Sequence, residues 1–270
     1  MRRLATSILI ALAPVWASAE ELPRVVSVNL CTDQLVMLVA DPTQIVSLTE
    51  LSDDPRSSSM AEEAEPFAKN NARAESIAIT APDIVVAGAY SDPLLIDMLR
   101  RIDIEVVQFP LTTTIDEVPA QLRKMGDVLN RSERAEDLAS DFEMQLSKRT
   151  EVDHSAPVGA FFYPNGFALG EGTLSHSILT AGGARNLSVD LGFSGNGRIS
   201  LEQMVLNTPD FLISSPKYSG FSQSEDVMTH PALQGAPVMY SSADWVCGTP
   251  AILRAVSEVK KMVQRLSGVQ

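Results

Sequence analysis

At 270 residues with 45% hydrophobic content, the chain is globular and has room for one large domain or two small ones. Its 34 acidic against 21 basic residues give a net charge of −13, which lacks the basic footprint needed for nucleic acid or anionic lipid and suits a basic patch on a protein partner. Two cysteines are too few for a disulfide-built scaffold.

Taken in chain order, Met1-Arg2-Arg3 is a short basic start. Leu4 to Val15 is mostly apolar, and Ala17-Ser18-Ala19 has the small-x-small form of a cleavage site. These features predict a secretory signal peptide over 1–19, and hence an exported, soluble mature protein. Losing Arg2 and Arg3 with it leaves 19 basic against 34 acidic residues, a charge of −15. The run RVVSVN (24–29) predicts a strand, with Cys31-Thr32-Asp33 as cap of the helix that follows. Ile45–Leu48 is a second strand, and 49–73 is polar and loop-like with at most a short helix near Met60–Ala64. A helix from Glu75 then stops at Pro82, the strand Ile84–Ala87 follows, and a helix from Pro93 to Arg101 leads into the strand Glu105–Phe109. Such strand–helix–strand units favour a parallel sheet covered by helices.

From Asp116 to Lys148 only helix is predicted. Val118, Leu122, Met125 and Leu129 share one face, as do Ala135, Leu138, Phe142 and Leu146, although the step from Leu129 to Ala135 is out of phase. Asn130 and Glu133 have capping-box spacing. We read one long helical segment with a kink or restart near Asn130, with two ordinary packed helices as the alternative. Alternation then resumes: a strand over Val158–Tyr163, a helix capped by Thr173, a strand over Phe211–Ser214, another over Pro237–Ser241, and a last helix opened by Thr249-Pro250.

One phrase occurs twice. AESIAITAPDIVV (74–86) and LEQMVLNTPDFLI (201–213) each place a glutamate, Glu75 or Glu202, seven residues before a Pro-Asp pair, 127 residues apart. The repetition predicts two α/β lobes. The boundaries are 20–115 for the N-terminal lobe, 116–150 for the linking helix and 151–270 for the C-terminal lobe.

With its leader, its two Glu-x6-Pro-Asp segments, its long helical link and its ending HPALQGAPVMY…DWVCGTP, the chain resembles the periplasmic substrate-binding proteins of ABC importers for cobalamin, haem and ferric siderophores. The resemblance implies two Rossmann-like lobes with parallel sheets, joined by a single long α-helix, with a ligand cleft between them. It implies no enzymatic activity and no cofactor, the metal chelate being cargo, and a monomer that docks on an ABC permease dimer. Glu75 and Glu202 are then the docking residues. Helix capping is the alternative role for each.

Ligands of open α/β sheets bind outside the carboxyl ends of the strands. That rule selects Asn29, Cys31, Thr49 and Tyr90 in the first lobe. In the second it selects Tyr163, Tyr218 and Trp245, with Ser215 and Lys217 nearby. Aromatic rings there suit a large flat ligand, and ordinary core packing is the other reading. Arg198 can pair with an anionic ligand group or remain a solvated charge. Cys31 and Cys247 fall one in each lobe. They either form a disulfide that ties the lobes together or leave Cys31 as a thiol at a helix N-terminus.

Two rival functions stand beside this reading. A Zn or Mn receptor needs converging histidines, and only His176 and His230 are placed to contribute, so no metal site is assigned. A periplasmic hydrolase would need a scattered triad, since no G-x-S-x-G elbow or metal-ligand His spacing is present.

Overall fold

Strand β1 (Val25–Ser27) is buried at every position, as befits a central strand covered on both faces. The computed structural model describes residues 22–149, 152–217, 223–233 and 235–268. The predicted signal segment 1–19 and Tyr218 lie outside them. Helix α1 (Leu30–Val39) is capped by Asn29, whose side-chain oxygen accepts from the backbone N–H groups of Cys31 and Thr32. The cap therefore lies just upstream of the Cys31-Thr32-Asp33 segment assigned to it from sequence. The lobe continues through β2 (Ile45–Thr49), α2 (Ala61–Ala64) and β3 (Lys69–Asn70). Then come α3 (Ala74–Ile79), β4 (Ile84–Gly88), α4 (Pro93–Arg101) and β5 (Glu105–Phe109). Its strands are all parallel, in the order β3-β2-β1-β4-β5. The order reverses between β1 and β4, so the switch point opens at their carboxyl ends.

The link between the lobes departs from the expected single long helix. Helices α5 (Val118–Val128) and α6 (Ser132–Leu146) are separate and fold back on each other. Asn130 sits at φ 55°, in the left-handed region that asparagine tolerates better than most residues, and reverses the chain there. The expected capping box is not made; α6 starts from Arg131 without a side-chain cap. The antiparallel sense follows from the ion pairs. Arg123 on α5 reaches Glu136 at 2.7 Å and Glu143 at 2.8 Å on α6, while Arg149 past the end of α6 reaches Asp116 ahead of α5 at 2.8 Å. These pairs are solvent-exposed and define geometry more than stability. Close packing does the rest: a Cβ on Gly126 would fall 2.4 Å from that of Ala135. The phase break between Leu129 and Ala135 is the point at which the helix turns back.

The second lobe comprises β6 (Val158–Phe161), β7 (Phe167–Leu169), α7 (Leu174–Ala181), β8 (Arg185–Asn186), α8 (Leu187–Asp190) and β9 (Asn196–Arg198). After these follow α9 (Leu201–Asn207), β10 (Phe211–Ser214), α10 (Gln223–Asp226), β11 (Val238–Tyr240) and α11 (Ile252–Leu266). Its parallel sheet runs β11-β10-β6-β8, and β7 and β9 pair as a small antiparallel ribbon outside it. As predicted, Thr173 caps α7, its hydroxyl accepting from the N–H of His176. One core spans the helix pair and both lobes: Val36 and Leu48, Leu122 and Phe142 of the helix pair, and Phe161, Ile178 and Ile252 belong to the same cluster, with a smaller separate cluster in each lobe.

The repeated phrase maps position by position onto structure. Ile77 and Met204 are each only 1% exposed and anchor α3 and α9. Ala81 and Thr208, the residues before proline, both take positive φ, so each helix ends in a left-handed turn. The aspartate after each proline then clamps its lobe's first strand. Asp83 accepts from the N–H of Arg24 at 2.7 Å and Asp210 from that of Val158 at 2.7 Å. In return, their own N–H groups donate to the carbonyls of Arg24 and Val158. The strand that follows, β4 or β10, pairs in parallel with β1 or β6. The phrase is thus a helix–turn–clamp unit used once per lobe.

Candidate ligand cleft

Two cavities open at the carboxyl ends of the two sheets and meet at one residue. The first, of about 100 Å³, lies over β1, β4 and β5 and is lined by Asn29, Cys31, Tyr90, Phe109, Leu111 and Gln121 among others, with Val246 and Gly248 from the second lobe. None of its described lining residues is charged. Gly88 is required here because a Cβ would meet the Asn29 side chain at 2.8 Å, displacing the amide that caps α1. Gln121 donates to the carbonyl of Pro110 at 3.0 Å, while its buried Oε1 has no partner among the described residues. An amide oxygen in that position is a ready acceptor for a ligand donor.

The second cavity, of about 450 Å³, is bounded by Pro55 and Arg56 of the first lobe and by Ser215, Lys217 and the 240–243 segment of the second. Among the described residues its wall carries two cations and no carboxylate, although the whole chain is strongly acidic. Val246 lines both cavities and is 48% exposed. The next residue, Cys247, is disulfide-bonded to Cys31 with the Cα atoms 5.2 Å apart, so the cleft floor is stapled across the lobes. Directly beyond it Gly248 packs so closely on Thr112 that a Cβ would lie 2.4 Å away.

The residues selected from sequence divide into three groups. Asn29, Cys31 and Tyr90 line the first cavity; Tyr90 is 84% exposed at its edge. Thr49 and Tyr163 stand one layer back. The N–H and hydroxyl of Thr49 donate to Asp33, and the ring of Tyr163 lies parallel to that of Phe161 while its hydroxyl meets Ser241 at 3.3 Å. Burial raises the pKa of Tyr163, keeping its hydroxyl a neutral donor. Burial also pushes the Asp33 carboxyl up to about 6, against the pull of the Thr49 hydrogen bonds.

Trp245 and Arg198 are not among the cavity-lining residues. Trp245 is 5% exposed, packed edge-on against Phe161 at 6.0 Å, and belongs to the core. The short helical turn at Ala243–Trp245 points the indole inward and leaves the cleft to Val246. Arg198 is exposed on the β7–β9 ribbon, opposite Phe167. Neither histidine that a metal receptor would use is aimed at a shared centre: His176 Nδ1 lies 3.3 Å from the Asn186 amide and His230 Nδ1 accepts from the N–H of Ala232.

Gln121, Arg56 and Val246 were not anticipated. Gln121 sat within a helical face, Arg56 within a polar loop, and Val246 beside a more conspicuous tryptophan; only the fold brings them to the cleft. Glu75 and Glu202 are both exposed on α3 and α9, away from the cleft-lining residues. A hydrogen bond with the Ser200 side chain lowers the pKa of Glu202, so it is ionised at neutral pH.

Known proteins carry the same two-lobed architecture. The periplasmic heme-binding protein RhuT from Roseiflexus sp. RS-1, in its apo form, superposes with a TM-score of 0.75 at 17% identity, covering 91% of this chain and 99% of that one. The periplasmic vitamin B12-binding protein BtuF of Vibrio cholerae gives a TM-score of 0.65 at 18% identity, covering 91% and 98%. In sequence, the vitamin B12-binding protein of Pectobacterium atrosepticum is 23% identical over 254 residues, 90% of this chain and 89% of its own length. Residues 25–238 match the family model described as periplasmic binding protein. That match spans most of the chain from β1 to β11, and the chain therefore belongs to the periplasmic binding protein family, whose members bind rather than catalyse.

Proposed function

We propose that this protein is the receptor of an ABC importer, exported to the periplasm by its leader. It captures a metal chelate of the cobalamin, haem or ferric-siderophore class between its lobes. As a monomer, it delivers that cargo to a permease dimer through Glu75 and Glu202. The observation that carries the reading is the polarity of the cleft: an uncharged half beside Gln121 and Tyr90, and a cationic half between Arg56 and Lys217. Large chelates of this class pair apolar faces with polar or anionic rims, and such a divided surface matches both. The names of the relatives, which bind vitamin B12 or heme, support the same class. No helix among the described residues is long and apolar enough to cross a membrane, in keeping with a receptor that meets its permease from outside the bilayer.

The test is titration of the protein from residue 20 onward with cyanocobalamin, haemin and several ferric siderophores, with zinc and manganese salts as controls. Trp16 leaves with the leader, so Trp245 is the only tryptophan reporter, and its neighbour Val246 lines both cavities. Calorimetry run alongside removes the inner-filter artefact of coloured ligands. Saturable binding of one chelate at micromolar or tighter concentration is expected. Binding of the bare metal ions with none of the chelates would overturn the assignment in favour of an ion receptor.

A further inference from the structure

Beyond its glutamate, each copy of the repeated phrase carries a second exposed feature that neither folding nor the cleft uses. Four residues after Glu75 stands Ile79, 85% exposed; four residues after Glu202 stands Leu206, 82% exposed. Together with Tyr90 at the cleft, these are the most exposed large hydrophobic side chains described. Residues four apart share one face of a helix, so each lobe presents a carboxylate beside a bare aliphatic side chain. Val205, 43% exposed, widens the apolar patch on α9.

A single exposed leucine needs no explanation. Two at the same offset from the same glutamate, in lobes whose sequences otherwise diverge, are different. Other positions of the phrase have structural roles: Ile77 and Met204 anchor, Ala81 and Thr208 turn, Asp83 and Asp210 clamp. Residues 79 and 206 have no comparable role, since they lie on the side of their helices away from the core.

We propose that Ile79 and Leu206 are apolar plugs of the docking surface, seating in matching recesses of a membrane-protein dimer that sets a cation beside each recess. The inference rests on the docking role given above to Glu75 and Glu202. Its new content is that charge steers and orients the encounter while burial of the two aliphatic side chains holds the complex. The duplication itself argues for the occupant: a surface written twice, once per lobe, fits a partner that presents its own surface twice by two-fold symmetry. The exposed glutamate beside each plug, on a chain of net charge −13, favours a partner that is basic at the contact.

The experiment measures binding of cargo-loaded protein to membrane vesicles containing the cognate ABC permease. Ile79→Ser/Leu206→Ser is compared with each single variant, with Glu75→Lys/Glu202→Lys, and with Met144→Ser, an exposed apolar residue on α6. The double serine variant is expected to weaken docking about tenfold or more, mainly through faster dissociation. Each single variant should show a comparable part of that loss, and Met144→Ser none. Cargo affinity and melting temperature should not move in any of them. Unchanged docking by Ile79→Ser/Leu206→Ser while the charge reversal abolishes it would overturn the plugs and leave the docking role intact. Unchanged docking by the charge reversal would remove the docking reading on which the plugs rest.

Discussion

Replacing both cysteines by serine tests the idea that the staple between the lobes is a principal source of stability. Cys31 and Cys247 are separated by 216 residues, so the bond closes most of the chain into a loop. Chain-entropy arguments assign a loop of that size about 5 kcal/mol, of which about 2–5 kcal/mol is expected in practice because unfolded chains retain structure. For a protein of this length each kcal/mol moves the melting temperature by roughly 2–4 °C, giving a fall of about 4–20 °C. Scanning calorimetry of the oxidised protein, the protein fully reduced as verified by mass, and the Cys31→Ser/Cys247→Ser variant reads this directly. Reduction should bring the native protein down to the variant and leave the variant where it is. The staple also holds Val246 between the two cavities and Gly248 against Thr112, so chelate affinity should fall with it. A shift of under about 2 °C with both thiols demonstrably free would refute the reasoning, and would mean that the shared core alone sets the lobes' relation.

Further expectations concern the helix pair, the clamps and one buried acid. Gly126→Ala gains about 1 kcal/mol of helix propensity but forces a contact with Ala135 that costs about 1–3 kcal/mol, so a net loss is expected in urea denaturation, relieved in the double variant with Ala135→Gly. Asp83→Ala and Asp210→Ala each remove a hydrogen bond that closes a lobe, for about 1 kcal/mol apiece. Lying in different lobes, their effects should add, and a strong coupling between them would show that the lobes do not close independently. Asp33 has its carboxyl raised from the ordinary 3.8 to about 6 in the folded protein, so the folded state holds that proton more tightly than the unfolded chain. Its contribution is fully present below pH 4 and is lost as pH rises through 6, roughly 3 kcal/mol in all. Stability of Asp33→Asn relative to the native protein should accordingly improve between pH 4 and pH 7, and parallel pH profiles would refute the burial argument.

Much of this molecule was legible because the forces that write it are local. Alternating strands and helices, the Thr173 cap, the strand Phe211–Ser214 and the repeated unit with its exposed glutamates depend on residues within a turn or two of one another: apolar period, proline, capping oxygen. Asn130 was visible as a break in phase. Whether the chain kinks or turns back there depends on what α5 and α6 find to pack against, and only the close approach of Gly126 to Ala135 with the Arg123 ion pairs decides it. The same holds at the cleft. Asn29 and Tyr90 follow strands and could be placed by rule, whereas Trp245 turns inward and yields its place to Val246 because the core of the second lobe has room for an indole beside Phe161. Gln121 and Arg56 reach the cleft from a helix and a loop that carry no signature of it. Sequence alone determined the two lobes and the surfaces they repeat. The cleft between them, and the bond across its floor, were decided by tertiary structure, because they join residues as many as 216 positions apart whose meeting no local pattern encodes.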